Sequence, residues 1–193
     1  MKNLKVDTLI VCKQSSLSKE YETIIQLAKE KRIKIKVVTK GDKIDIEPEC
    51  SFQILHPTSF FIDDGKGGLN ANAITAKLAY KKFSMLLTGD IEEKSEKLLL
   101  QEYQNTNLLK SDILKVAHHG SKSSSSEEFL KTVKPQISLI GVGKKNTFGH
   151  PNENVLKRIK QIGSKIYRTD LQGEIRIQVN KKGKIKVETQ IKK

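Results

Sequence analysis

Two short apolar runs, each ending in side chains able to hold a cation, constrain this chain more than any other feature. The first is Leu86-Leu87-Thr88-Gly89-Asp90 and the second is Ile113-Leu114-Lys115-Val116-Ala117-His118-His119-Gly120-Ser121. Each reads as a buried strand delivering its last residues to a sheet edge. Carboxylate and imidazole are ordinary ligands of Zn²⁺ and similar ions. The expectation is that Asp90 and one or both of His118 and His119 face one cleft. Two of the chain's 4 histidines sit in this pair, and Gly120 follows them as if backbone space were needed. In a continuing strand, adjacent imidazoles would point to opposite faces, so at most one could be a plain core residue.

The surrounding pattern is mixed. Residues 7–12 read as a buried strand, and Ser18, after the run Ser15-Ser16-Leu17, reads as the cap of a helix carrying Tyr21, Ile24, Ile25 and Ala28 on one face. Alternating strands follow over 33–39 and 43–46, then a further short strand over 51–55 and a glycine-rich loop over 62–68. A strand over 73–80 turns at Lys81-Lys82 into the run ending at Asp90. Helices are expected over 91–103, at 127–130 and from Pro151 onward, with strands over 113–117, 136–140 and 165–167. Ile175, Ile177, Val179, Ile185 and Val187 form a terminal hairpin. Strand–helix units mixed with hairpins indicate one α/β domain over residues 1–193.

Composition narrows the classes. Of 193 residues, 36 are Lys or Arg and 22 are Asp or Glu, a net charge of +14 that favours polyanionic partners. No apolar run approaches the roughly 20 residues of a membrane-spanning helix, and no signal peptide is visible. Cys12 and Cys50 lack metal-site spacing and read as incidental thiols.

Other polar residues have two readings each. Asp90 with Glu93 has the spacing of a capping box, which competes with its role as a ligand. Residues 121–126 could contact phosphate, Ser121 and Ser123 among them, or Ser124 and Ser125 could cap a helix. His150, between Gly149 and Pro151, could hold phosphate or donate a proton, or instead cap the start of the next helix. Asn70 and Asn72 could orient a loop over the site, and His56 reads as structural.

The two runs, together with Asn146-Thr147-Phe148-Gly149-His150-Pro151 and Tyr167-Arg168-Thr169-Asp170-Leu171-Gln172-Gly173, occur in the order found in one family. From about Leu4 to about Ile177 the chain resembles the metallo-β-lactamase-like domain of ComEC-type DNA-internalisation competence proteins. The resemblance implies an αββα sandwich and a metal-dependent hydrolase, in this branch a DNA nuclease acting in DNA uptake. It implies Zn²⁺ or Mn²⁺ as cofactor, with Asp90 as bridging ligand, His118 or His119 as the last histidine ligand, and His150 as a site-facing histidine. DNA is the implied partner, and in the parent family this soluble domain is attached to a channel in the bacterial cytoplasmic membrane. The family's His-x-His-x-Asp-His motif does not occur in these residues. The chain therefore reads as lacking part of the N-terminal half, with an exposed apolar sheet face and weak or no catalysis alone. A basic DNA-binding domain without catalysis, or an inert remnant, is the alternative.

Overall fold

The computed structural model describes residues 4–13, 18–58 and 69–192. The Ser15-Ser16-Leu17 run, the glycine-rich loop over 62–68 and the terminal Lys193 lie outside the described residues. The largest element is a seven-stranded sheet whose spatial order follows the chain. Its strands are β3 (Lys43–Glu47), β4 (Cys50–His56), β5 (Thr75–Tyr80), β6 (Phe83–Leu87), β7 (Ile113–Lys115), β8 (Ile137–Ile140) and β9 (Lys165–Arg168). The first four pair antiparallel, with two-residue connections between β3 and β4 and between β5 and β6, and β6 to β9 pair parallel. Parallel neighbours need crossovers, supplied by helices α2 (Glu93–Tyr103), α3 (Glu127–Val133) and α4 (Glu153–Gln161).

The pleat separates two apolar clusters. Ile54 and Leu55 are neighbours in β4, and successive side chains point to opposite faces. Leu55 joins Leu86, Leu114, Phe129, Ile140, Val155 and Ile159 beneath the three crossover helices. Ile54 joins Ala76 and Val38 on the other face. Val38 ends β2 (Lys34–Val38), which pairs parallel with β1 (Thr8–Cys12) across helix α1 (Lys19–Glu30). The result is helices, a large sheet, a small strand pair and a further helix, the α–β–β–α layering expected from the resemblance. Ser18 caps α1 by accepting the Tyr21 N–H, as its position foretold. Large apolar side chains on the first layers stay exposed: Ile10, Ile24, Val37 and Ile46. A hairpin of β10 (Ile175–Val179) and β11 (Ile185–Thr189) closes the described chain. Cys12, buried, and Cys50, half-buried, form no disulfide. No described helix is long and apolar enough to cross a membrane.

His56 has the structural place expected of it. Its ring is buried, with Nε2 2.7 Å from the Ala71 carbonyl oxygen. Burial holds its pKa below the ordinary 6.5, and the hydrogen bond to Ala71 opposes this. A histidine depressed in the folded state stabilises the protein above its unfolded pKa, and that stability is lost as pH falls through it. Between about pH 7 and about pH 5, thermal unfolding should therefore show wild type losing stability relative to His56→Gln, which keeps a donor but does not titrate. A difference between the two that does not vary with pH would remove this account of His56.

Candidate functional site

The parallel strands set the site. Leu87 at the end of β6 pairs with Lys115 at the end of β7, and Lys115 pairs with Leu139 near the end of β8. Their carboxyl ends therefore open onto one edge of the sheet, where open α/β sheets place ligands. The Gly89-Asp90 turn follows β6, the His118-His119 turn follows β7, and the loop from Gly141 to His150 follows β8. Backbone bonds lock the first two together, since His118 N–H donates to the Gly89 carbonyl at 3.2 Å. Buried Thr88 braces the same junction by donating to the Lys115 carbonyl at 2.6 Å.

The two histidines are not on a strand. β7 ends at Lys115, two residues short of the predicted end. His118, His119 and Gly120 follow with φ of 46°, 55° and 82°, three successive residues in the left-handed region. Strand alternation does not govern them, so the two rings can share one side. Their centroids are 6.4 Å apart, and His118 lies 5.6 Å from His150.

The geometry separates the roles of the pair. His119 Nδ1 is 2.6 Å from the Gly141 carbonyl oxygen, which requires the proton to be on Nδ1. In the neutral ring Nε2 then carries the lone pair, and it faces Asp90 Oδ2 at 3.7 Å. A histidine tied by one nitrogen to a carbonyl, with the other turned toward a carboxylate, is how metal-ligating imidazoles are held. An N donor and an O donor converging in this way fit a divalent cation. His118 Nδ1 instead lies 3.2 Å from Glu92 Oε1 but is not aligned for a hydrogen bond, so this buried nitrogen has no hydrogen-bond partner. Among the described residues, no group of three or more His, Cys, Asp or Glu side chains is arranged to hold a metal ion. Asp90 and His119 thus fit two positions of such a site.

Asp90 is not the helix cap. Glu92 occupies the N-cap of α2, with no side-chain capping bond, because the chain leaves the Gly89-Asp90 turn two residues before the helix starts. His150 joins the site, 6.0 Å from Phe148 in a stacked arrangement. Partial burial and then the nearby His118 and His119 hold its pKa below the ordinary value, and Asp90 opposes them. Asn146 braces this loop: its amide donates to the carbonyls of Gly143 and His150, and its oxygen accepts the His150 N–H. The following helix opens at Glu153 rather than at Pro151, and Asn152, not His150, caps it.

The serine loop is more self-contained than expected. The Ser121 and Ser123 hydroxyls bond each other at 3.0 Å. Ser126 caps α3, rather than Ser124 or Ser125. The N–H groups of Ser125 and Ser126, which a phosphate would need, donate to the buried carboxylate of Glu96. Burial pushes the Glu96 carboxyl up, and those donors with Arg158 pull it back. Asn72 is buried with an unpartnered Oδ1, at the end of a short 3₁₀ turn that packs on α2 through Ser95.

Two contributors went unread in the sequence. Lys115 donates to the Val116 carbonyl at 2.9 Å. Burial lowers its pKa, and the charge of Asp90 opposes this, so the two side chains lie within electrostatic reach of each other. Its signal was a lysine interrupting an apolar run. The Gly141 carbonyl that orients His119 is backbone, and nothing in the sequence could have marked it.

Comparisons with known proteins bear on this geometry. ComE operon protein 3 of Bacillus subtilis is 31% identical over 175 residues, covering 91% of this chain and 22% of its own length. Competence protein ComA of Neisseria gonorrhoeae is 33% identical, over 68% of this chain and 18% of that protein. Recombination protein 2 of Haemophilus influenzae is 33% identical, over 63% of this chain and 13% of that protein. The chain thus spans about a fifth or less of the length of these curated relatives. A solved structure, described as a metal-dependent hydrolase from Parabacteroides distasonis, superposes with a TM-score of 0.52 at 14% identity, over 87% of this chain and 78% of that one. At that identity the likeness establishes the fold. No family model matches the chain.

Proposed function

We propose that this chain, a homologue of one segment of the ComEC-type competence proteins, supplies one wall of a divalent-metal phosphodiesterase site acting on DNA during uptake. The observation that carries the reading is the convergence of His119 Nε2 on Asp90 Oδ2 at 3.7 Å, with His119 Nδ1 anchored to Gly141. Asp90 and His119 would hold the cation, and Zn²⁺ or Mn²⁺ suits this mixture of nitrogen and oxygen donors. A bound divalent cation supplies an activated water at neutral pH and offsets charge on the phosphoryl oxygens. His118, poised between Glu92 and His150, would complete or orient that wall. His150 would hydrogen-bond a phosphoryl oxygen or pass a proton to the leaving oxygen. Ser121 and Ser123, which bond each other, and Asn72 would support the loops around the site. The net charge of +14 gathers the polyanion.

Turnover by the 193-residue chain alone is expected to be slight, since the described residues bring two donors together and not three. The same observation favours a second reading, a basic DNA-binding module without catalysis. Calorimetric titration with Mn²⁺ or Zn²⁺ separates the two. His119→Ala and Asp90→Ala should each weaken metal binding by at least about ten-fold. Isotherms identical to wild type, with salt-sensitive DNA binding that chelator does not change, would leave only the second reading.

A further inference from the structure

Beside the candidate metal wall lies a pocket of about 360 Å³ lined by His119, Gly141, Val142, Gly143, Phe148 and His150. We propose that this pocket is a stacking slot for one nucleobase of a single strand, with Phe148 as its platform. The inference rests on the nucleic-acid reading above and names the form of nucleic acid that the site takes.

Phe148 is 79% exposed, the highest value among the exposed large apolar side chains of the described residues. An isolated exposed apolar residue on a surface needs no explanation. Phe148 is not isolated: its ring stacks on the His150 imidazole with an interplanar angle of 23°, and both rings border the pocket. The loop that presents them is braced from within. The Asn146 side chain bonds Gly143 and both backbone groups of His150. The ring is therefore held out toward solvent on an ordered support. Gly141 and Gly143 leave that wall without large side chains, and a Cβ built on Gly143 would meet nothing within 4 Å. Lys144 and Lys145 are exposed on the same loop.

An exposed aromatic between lysines and a site for phosphoryl chemistry matches single-strand recognition. Every base has a face that can stack on such a ring, and cations follow the backbone. A paired base inside a duplex has both faces covered by its neighbours and cannot enter. The slot would fix the register of a nucleotide, which sets the phosphate delivered to Asp90 and His119.

The test uses the 193-residue chain in EDTA, so that binding is read without hydrolysis. The probes are a short single-stranded oligothymidine carrying one 2-aminopurine and an abasic strand of equal length and charge. The wild type should quench 2-aminopurine fluorescence on binding. Phe148→Ala should weaken binding of the base-bearing strand roughly ten-fold and leave the abasic strand unchanged. Phe148→Trp should retain wild-type affinity. Unchanged affinity of Phe148→Ala for the base-bearing strand, or an equal loss for both strands, overturns the slot. If the wild type binds neither strand, the nucleic-acid reading falls and takes the slot with it. If stacking is seen while metal binding proves independent of Asp90 and His119, the metal reading fails and the slot stands.

Discussion

Replacing Gly120 by alanine is expected to destabilise the fold by about 2–5 kcal/mol and to loosen the candidate metal wall with it. Two effects add. Gly120 has φ of +82°, where a Cβ is strained in any L residue. The added methyl would also lie 2.6 Å from Pro151 Cβ and 3.2 Å from Pro151 Cα. A proline ring cannot swing aside as a lysine tip can. Pro151 is also held in place, because the next residue, Asn152, donates its N–H to the Gly120 carbonyl at 2.9 Å and then caps α4. The clash must therefore displace either the start of α4 or the His118-His119 turn. Denaturant unfolding of Gly120→Ala, with metal titration beside it, measures both consequences. Gly143→Ala is the matched control, with open space around its Cβ, and should stay within about 0.5 kcal/mol of wild type. An unfolding midpoint for Gly120→Ala equal to that of the control would show that the close packing against Pro151 carries no weight.

Glu96→Ala should cost a similar amount, about 3 kcal/mol, although Glu96 is not proposed to touch metal or substrate. Its side chain is fully buried on α2 and accepts the backbone N–H groups of Ser125 and Ser126. From the other side Arg158 of α4 donates to the carbonyls of Ser124 and Ser125 at 3.0 and 2.9 Å. One acid and one base thus hold the loop leading into α3 between two helices. Alanine leaves two buried donors without an acceptor, and each carries a desolvation cost that neighbouring packing cannot recover. Glu96→Gln should fall between alanine and wild type, because its amide oxygen accepts one N–H while its amide nitrogen opposes the other. Equal stability of alanine and glutamine variants would mean that solvent, not the carboxylate, satisfies these donors.

Much of the site was legible because it is local. A strand run ending in Gly89-Asp90, a second ending near His118-His119, and a loop carrying His150 need only periodicity and residue type to be found. The left-handed turn at the histidines escaped that reading, since non-glycine residues at positive φ leave little trace in a sequence. The Asp90 cap failed for a related reason. Capping-box spacing was present, but Gly89 turns the chain so that Glu92, not Asp90, starts the helix.

The order of strands and helices, the cap at Ser18, the terminal hairpin and the two carriers of cation-binding groups follow from amino-acid type and spacing, which act within a turn or two of the chain. Only the folded molecule decides that His119 turns a nitrogen toward Asp90 while His118 turns one toward Glu92, that Glu96 occupies the donors of the serine loop, and that Lys115 is buried within reach of the Asp90 charge. Those choices depend on parallel pairing of β6, β7 and β8 and on backbone carbonyls such as that of Gly141. Every residue carries such a carbonyl, so its direction is set by packing and not by side-chain identity.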